Sequence, residues 1–375
     1  MTFRFIHSSD LHLGKRFGQF SGDLPAKLRE ARHAVIGKLA EQARAQNAST
    51  ILLAGDTFDT ETPAPEIRRQ ALSEMSHHST IRWVVLPGNH DSLQAAQLWA
   101  ALQNEVPGNV ILATQAAPIE LASDVVLLPA PCTTRRPGRD LTEWMNNAAT
   151  PDGVIRIGLA HGAVQTFSED DNGDDVIAPD RAGRAGLSYL ALGDWHGGVK
   201  VDTRTYYSGT PEPDRFKHDR PGEALLVALE GPDALPQISA LQTGSFEWRS
   251  LTLDLFPDDD AVELLQAALP DIRSRRQTLL ALSARGRARL AAHTALAKAI
   301  ETQRHDFAWL EFSQSDLATE CEAKDLDAID RAGALREAAD ALLREGADPT
   351  RSGEDRDVAM AALSRLYAYA QATAS

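Results

Sequence analysis

Short, almost uninterrupted apolar runs alternate along this chain with stretches in which apolar residues recur every three or four positions. Phe3 to Ser8, Thr50 to Ala54, Ile81 to Leu86, Val154 to Ala160 and Tyr189 to Leu192 are of the first kind and read as buried strands. Leu28, Ala31, Val35, Leu39 and Ala43 recur at helical spacing, which predicts a core-facing helix from Leu24 to about Gln46, and a second helix runs from about Pro65 to His78. Strand, polar turn and helix in succession predict a parallel or mixed sheet whose strand ends face one crevice. Two or three short strands are expected between Val110 and Pro131, a short helix from Leu141 to Ala148, and closing strands at Tyr206 to Pro211 and Ala224 to Leu229. The first domain should end near Gly244. Beyond it, strands at Trp248 to Leu255, Thr278 to Ala284 and Phe307 to Phe312, with helices at Asp259 to Leu269 and Arg289 to Gln303, describe a small α+β module. The tail reads as helices from Leu326 to Leu343 and Asp355 to Ala370, with Val358, Ala362, Leu366 and Ala370 on one face.

The turns after the five apolar runs carry the candidate chemistry. They read Ser9-Asp10-Leu11-His12, Gly55-Asp56-Thr57-Phe58-Asp59, Gly88-Asn89-His90-Asp91, His161-Gly162 and Gly193-Asp194-Trp195-His196. Any one of them is an ordinary turn; Gly-Asn alone is a common turn dipeptide. All five at strand ends, each with a metal-ligating residue type, point to a metal centre. Carboxylate, imidazole and amide donors together suit two divalent ions of the manganese or iron type, bridged by one carboxylate, for which Asp56 is the natural choice. Ions roughly 3.5 to 4 Å apart would bind phosphate oxygens and a hydroxide nucleophile, as displacement at phosphorus requires.

Composition narrows the class. The 375 residues, 43% hydrophobic and 24% charged, predict two domains or more of an ordinary globular protein, and no apolar run is long enough to span a membrane. No export signal is visible at the amino terminus, and the two cysteines, Cys132 and Cys321, match no metal-ligand spacing; a cytoplasmic location is expected. A formal net charge of -15 argues against nucleic-acid binding by the whole surface. Local basic groups remain: Lys15 and Arg16; Arg135, Arg136 and Arg139; and Arg215, Lys217, His218 and Arg220. The acidic stretch from Glu169 to Asp175 reads as a surface loop, since a calcium loop of the EF-hand type is not matched.

Asp10-x-His12, Gly55-Asp56-x-x-Asp59, Gly88-Asn89-His90-Asp91, His161-Gly162 and Gly193-Asp194-x-His196 together resemble the calcineurin-like metallophosphoesterase superfamily over residues 1 to about 230. Ser9 to Gly14, and Gly55 to Asp59 followed by Pro63, are similar to the SbcD-like DNA repair exonucleases, nuclease partners of SMC-like ATPases. The resemblance implies an α/β fold, a four-layer αββα sandwich over residues 1–244, followed by a small α+β capping domain (245–325) and a C-terminal helical segment (326–375) that binds the ATPase. It implies a first metal held by Asp10, His12, Asp56 and His196 and a second held by Asp56, Asn89, His161 and the residue at 194. His90 and Asp59 are the catalytic candidates. Manganese is the expected ion, with magnesium or iron(II) as alternatives; DNA and an SMC-like ATPase subunit are the implied partners, and a homodimer is left open. The SbcD-like pattern reads Gly-His-x-His where this chain has Asp194, so Asp194 either ligates the second metal or supports a neighbouring histidine. A phosphodiesterase or phosphatase acting on a small nucleotide or lipid headgroup is the alternative function, and a scaffold without activity is the third.

Overall fold

The structure is a computed structural model that describes residues 2–164, 176–217, 220–321 and 323–374. The acidic stretch from Glu169 to Asp175, and His218 of the second basic group, lie outside the described residues. The chain divides into two compact units, Met1–Glu247 and Trp248–Ser375.

In the first unit the elements run β1 (Phe3–Ser8), α1 (Leu24–Ala45), β2 (Thr50–Leu53), α2 (Pro65–His77), β3 (Arg82–Val85), α3 (Ala96–Glu105), β4 (Val110–Leu112), β5 (Ile119–Ala122), β6 (Val125–Ala130), a 3₁₀ turn (Glu143–Asn147), β7 (Ile155–His161), α4 (Arg181–Arg184), β8 (Tyr189–Gly193), β9 (Val199–Lys200), β10 (Thr205–Tyr207), β11 (Glu223–Leu229) and β12 (Gln237–Gln242). They build two six-stranded sheets, ordered β12-β11-β1-β2-β3-β4 and β5-β6-β7-β8-β10-β9. Strands β1 to β4 are parallel, as are β6, β7, β8 and β10, so their carboxyl ends lie along a common edge of each sheet.

The apolar runs are continuous because these strands are buried on both faces. Along β2 the period of two sends Ile51 and Leu53 to the layer under α1 and α2, where they meet Val35, Leu39, Ala71 and Met75, and sends Leu52 between the sheets against Ile157, Leu159 and Ala191. The outer face of the second sheet buries Leu128, Ala160, Leu190 and Leu192 against Met145, Ala182 and Leu187. The result is a four-layer αββα sandwich, as the resemblance implies. Helix α3 and strands β9 and β12 have no counterpart in the sequence reading. Helix α3 is short, with only Leu98, Trp99 and Leu102 buried, and β12 is an edge strand in which no residue is fully buried.

The second unit holds β13 (Glu247–Leu255), α5 (Ala261–Ala268), α6 (Ile272–Arg275), β14 (Thr278–Arg289), α7 (Leu290–Gln303), β15 (Trp309–Glu320), α8 (Ala323–Ile329), α9 (Ala334–Ala347) and α10 (Gly353–Ala374). Strands β13, β14 and β15 form one sheet packed on α5 and α7. Strands β14 and β15 run well beyond the apolar stretches expected of them. The helix expected from Leu326 to Leu343 is two helices, separated by a turn in which Gly333 has φ +126°. The face of α10 is corrected at one end: Val358 is 64% exposed, while Ala359 and Leu363 are buried, Leu363 together with Leu290, Leu326, Ile329 and Ala339, and the expected Leu366 and Ala370 pack partly buried against the same cluster. Among the described helices none is long and apolar enough to cross a membrane.

Candidate metal centre

Each strand end delivers its side chain through a backbone that only a turn can supply. Asp10, His12, Asp56 and Asp194 have φ values of 56°, 44°, 52° and 100°, in the left-handed region that non-glycine residues rarely occupy. Such strain persists where the surroundings overdetermine it, and it clusters at functional sites. The two sheets also approach closely here. A Cβ on Gly193 would stand 2.0 Å from the Ala54 carbonyl oxygen of the other sheet, and within the first sheet one on Gly88 would stand 2.1 Å from Asp56 Oδ1. Glycine at both positions is therefore a condition for the strand ends to meet.

The meeting point collects seven candidate ligands. His12 Nε2 and His196 Nε2 face each other at 3.3 Å; Asp10 Oδ1 lies 3.9 Å from the first and 3.8 Å from the second, and Asp56 Oδ2 lies 3.7 Å from His12 Nε2. On the other side of Asp56, His161 Nε2 is 3.5 Å from Oδ2 and 3.7 Å from Asp194 Oδ1, which accepts a hydrogen bond from Asn89 Nδ2 at 2.8 Å. Three groups of donor atoms are compact enough to hold a metal ion: Asp10 with His12 and His196, Asp10 with Asp56 and His161, and His12 with Asp56 and His90.

The chemistry of this donor set fits cations. Asp10 Oδ1, Asn89 Oδ1 and His161 Nε2 are buried and have no hydrogen-bond partner among the described residues. A buried polar atom without a partner costs on the order of 1–3 kcal/mol, and here three of them sit on candidate ligands. Tautomers agree. A carbonyl only accepts, so His161 Nδ1 donates to Ala54 O at 2.8 Å and leaves Nε2 as the ligating nitrogen. His196 Nδ1 is held by Asp214 Oδ1 at 2.9 Å, leaving its Nε2 toward His12. Charge crowding agrees as well. Burial and the neighbouring Asp10 and Asp56 raise the Asp194 carboxyl above its ordinary value, although His161 and His196 oppose them. Burial opposes charging of His161, yet the Asp56, Asp10 and Asp194 carboxylates raise its pKa well above the usual imidazole value. Carboxylates crowded around an imidazole that attracts a proton make a pocket for positive charge.

His90 and Asp59 stand beside this cluster. His90 donates from Nδ1 to the Asp59 carbonyl at 2.9 Å, its backbone N–H donates to Asp56 Oδ1 at 2.8 Å, and its ring packs edge-on to His12 with centroids 4.8 Å apart. The Asp59 carboxylate faces His12 Nδ1 at 3.2 Å. Of the basic residues, Lys15 pairs with Asp214 at 2.7 Å, and Arg215 reaches both Asp214 and His196 Nε2, at 3.1 and 3.0 Å.

Two supporting residues, Asp214 and Arg32, escaped the sequence reading, which read Asp91 only as part of its turn. Asp214 orients His196. Asp91 accepts from the Phe58 and Gly88 N–H groups at 3.0 and 2.7 Å, tying the Gly88–Asp91 turn to the Asp56–Asp59 turn. Arg32 is a fully buried cation on α1. It donates to the carbonyls of Asp10, Leu11 and Glu212 and joins the loop carrying Asp10 to the loop carrying Asp214. An arginine among Leu28, Val35 and Leu39 on an otherwise apolar face was the available signal for it. Asp214 offered none beyond its place between Pro213 and Arg215.

Comparisons with known proteins follow the same lines. The SbcD component of the SbcCD nuclease of Rhodobacter capsulatus is 26% identical over 259 residues, covering 56% of this chain and 62% of that one. Its counterpart in the SbcCD nuclease of Escherichia coli K12 is 37% identical over 94 residues, covering 24% and 22%. The uncharacterized metallophosphoesterase YhaO of Bacillus subtilis is 30% identical over 207 residues, covering 51% and 48%. This chain thus spans between 22% and 62% of the length of these relatives. Among solved structures, the purple acid phosphatase PPD1 of yellow lupin is similar with a TM-score of 0.45 at 9% identity, covering 65% of this chain and 52% of that one. The family model for calcineurin-like phosphoesterases matches residues 3–228, the whole stretch that carries the five ligand-bearing turns. The chain therefore belongs to the calcineurin-like phosphoesterase family of metal-dependent hydrolases.

Proposed function

We propose that the first unit is a metal-dependent phosphodiesterase acting on DNA, an exonuclease or endonuclease of DNA repair in the cytoplasm, working with an SMC-like ATPase. The observation that carries this reading is the convergence of His12, His196, Asp10, Asp56 and His161 donor atoms at the joined sheet edges. The nuclease names of the Rhodobacter and Escherichia relatives support DNA as substrate. Asp10, His12, Asp56 and His196 would hold one ion, and Asp56, Asn89, His161 and Asp194 would hold the other. Bound divalent ions supply Lewis-acid polarisation of phosphoryl oxygens and a nucleophile at neutral pH. Manganese suits a mixed set of carboxylate, amide and imidazole donors.

The chain's own groups do the rest. With Nδ1–H committed to the Asp59 carbonyl, His90 presents Nε2 to a phosphoryl or leaving oxygen, and it donates a proton there as the imidazolium. Asp59 orients His12 and, through its carbonyl, His90; Asp214 orients His196. Residues 245–325 correspond to the capping domain, and residues 326–375 to the ATPase-binding segment, that the resemblance implies. The net charge of -15 favours a second reading, hydrolysis of a small nucleotide or lipid headgroup phosphodiester.

The purified chain with manganese, given linear duplex DNA and a panel of small phosphodiesters, separates the two. Preferential cutting of DNA is expected. Turnover confined to the small esters overturns the DNA reading, and turnover of neither overturns both.

A further inference from the structure

The Arg135, Arg136 and Arg139 group plays no part in the metal centre, yet the structure sets Arg139 in the wall of a concavity next to the site turns. A hollow of about 470 Å³ opens there, lined among others by Leu93, Thr133, Arg139, Glu143, Trp144 and Asn147. That volume falls within the range of small-molecule sites, about 300–1,000 Å³. Its walls are fastened to the site turns. Cys132 N donates to Pro87 O at 3.1 Å, Leu93 N donates to Cys132 O at 2.9 Å, and the Cys132 thiol lies 3.4 Å from His161 O. The wall formed by Leu93 and the 131–133 loop is thus continuous with the turn carrying Asn89 and His90 and with the strand end carrying His161.

The chemistry of the lining selects an occupant. Trp144 supplies an indole on a short rigid turn; Glu143 and Asn147 supply an acceptor and an amide at the rim. Asp140 does not repel an anion strongly, because its carboxylate already accepts from Thr142 and pairs with Arg181 at 2.7 Å. Arg135, Arg136 and Arg139 form no ion pair among the described residues, although the chain carries 53 acidic side chains against 38 lysines and arginines. An aromatic face, polar groups suited to a base edge and unneutralised guanidinium groups are the parts of a nucleotide site.

We propose that this hollow is a nucleotide subsite: Trp144 stacks a base flanking the scissile phosphodiester, and Arg139, with Arg135 and Arg136, holds the adjoining phosphates. The proposal deepens the phosphodiesterase reading and rests on it for the substrate class. The nucleotide could belong to a strand or be free, and the test separates these sources.

Binding is measured on the whole chain in EDTA, so that no strand is cut and the result does not depend on the metal centre. Anisotropy of a labelled single-stranded ten-mer of thymidylate reports the strand, and competition by thymidine monophosphate reports the free nucleotide. Trp144→Ala should weaken strand binding about tenfold, within the range for loss of one base stack, and Trp144→Phe should restore most of it. The triple variant Arg135→Ala, Arg136→Ala, Arg139→Ala should lower the slope of log Kd against log salt by as much as about 2, at roughly 0.7 per single-strand phosphate. Competition as strong as the strand's own affinity assigns the subsite to free nucleotides; competition only at far higher concentration assigns it to strands. Wild-type affinity in Trp144→Ala overturns the proposal. So does equal weakening in the Ala and Phe variants accompanied by a lowered unfolding temperature in both. Loss of DNA cleavage with nucleotide binding intact would overturn the proposed function and leave the subsite standing.

Discussion

Asp56 touches both halves of the candidate centre, with Oδ2 at 3.7 Å from His12 Nε2 and 3.5 Å from His161 Nε2. Asp56→Asn keeps the shape and an oxygen acceptor for the His90 N–H but removes the shared charge. Hydrolysis should fall below detection at saturating manganese, and metal analysis should find the content reduced from two ions per chain. His90 touches the cluster without being needed to hold it, so His90→Ala should retain both ions and lose about 10²- to 10⁴-fold in turnover. Metal content and kcat measured on the same preparations distinguish the two variants. Asp194→Ala should lose one ion of two, because its Oδ1 stands beside His161 and Asn89. Full occupancy of both sites with normal turnover in that variant would remove Asp194 from the ligand set. All nine candidate residues were legible as residue types at strand ends. Asp214 was not, because its contact with His196 spans 18 positions across β9 and β10, and the loop that carries it is held by Arg32, which arrives from α1.

At the scale of elements, the strands that carry the site were legible because burial on both faces demands uninterrupted apolar residues. Helix and strand limits on the surface were less so. Strand β14 continues through Arg285, Arg287 and Arg289, whose charges pair with Asp254, Glu320 and Asp258, and pairing of this kind leaves no apolar pattern to read. Helix α10 shows how a face can be misread by one residue. Leu363 is fully buried beside Leu290 of α7, whereas Val358 is exposed. Leu363→Ala should destabilise the second unit by about 2–5 kcal/mol, the usual cost of a buried leucine truncation. Val358→Ala should change it by no more than about 0.5 kcal/mol. Denaturant unfolding of the two variants checks this, and equal effects would contradict the assigned face.

At the scale of the molecule, a buried imidazole joins the two sheets of the first unit across their interface. His7 on β1 donates from Nε2 to Leu192 O at 3.1 Å, and its Nδ1 lies 2.9 Å from the Tyr189 hydroxyl, which donates to it. Burial pushes its pKa from 6.5 down to about 3, against a smaller opposing effect of the Leu192 carbonyl. The folded-state pKa lies below the unfolded one. Its contribution to stability is therefore intact above pH 6.5 and is lost progressively as the pH falls toward about 3, at up to about 1.4 kcal/mol per pH unit. His7→Gln, which keeps a donor for Leu192, should show a shallower loss of stability between about pH 7.5 and 5 than the wild type. Denaturant unfolding at those two pH values checks it, and equal losses would place the acid sensitivity elsewhere.

The order of residue types along the chain determined the candidate chemistry by itself. Strand formation follows from local apolar pattern, and the residue after a buried strand must be at a sheet edge, so Asp, His and Asn in those positions were bound to lie at strand ends, in two sheets. Which of them meet was a tertiary decision. It required glycine at 193 so that the two sheets could close to contact distance and glycine at 88 so that the turns after β2 and β3 could meet, and the ion-sized spacing between His12, His196 and Asp56 exists only once they do. The supporting carboxylates, Asp91 and Asp214, the buried Arg32 and the hollow beside Trp144 likewise belong to the assembled fold. Apart from the local Gly88–Asp91 bond, their partners are distant in sequence and are chosen by packing, for which no local pattern carries a record.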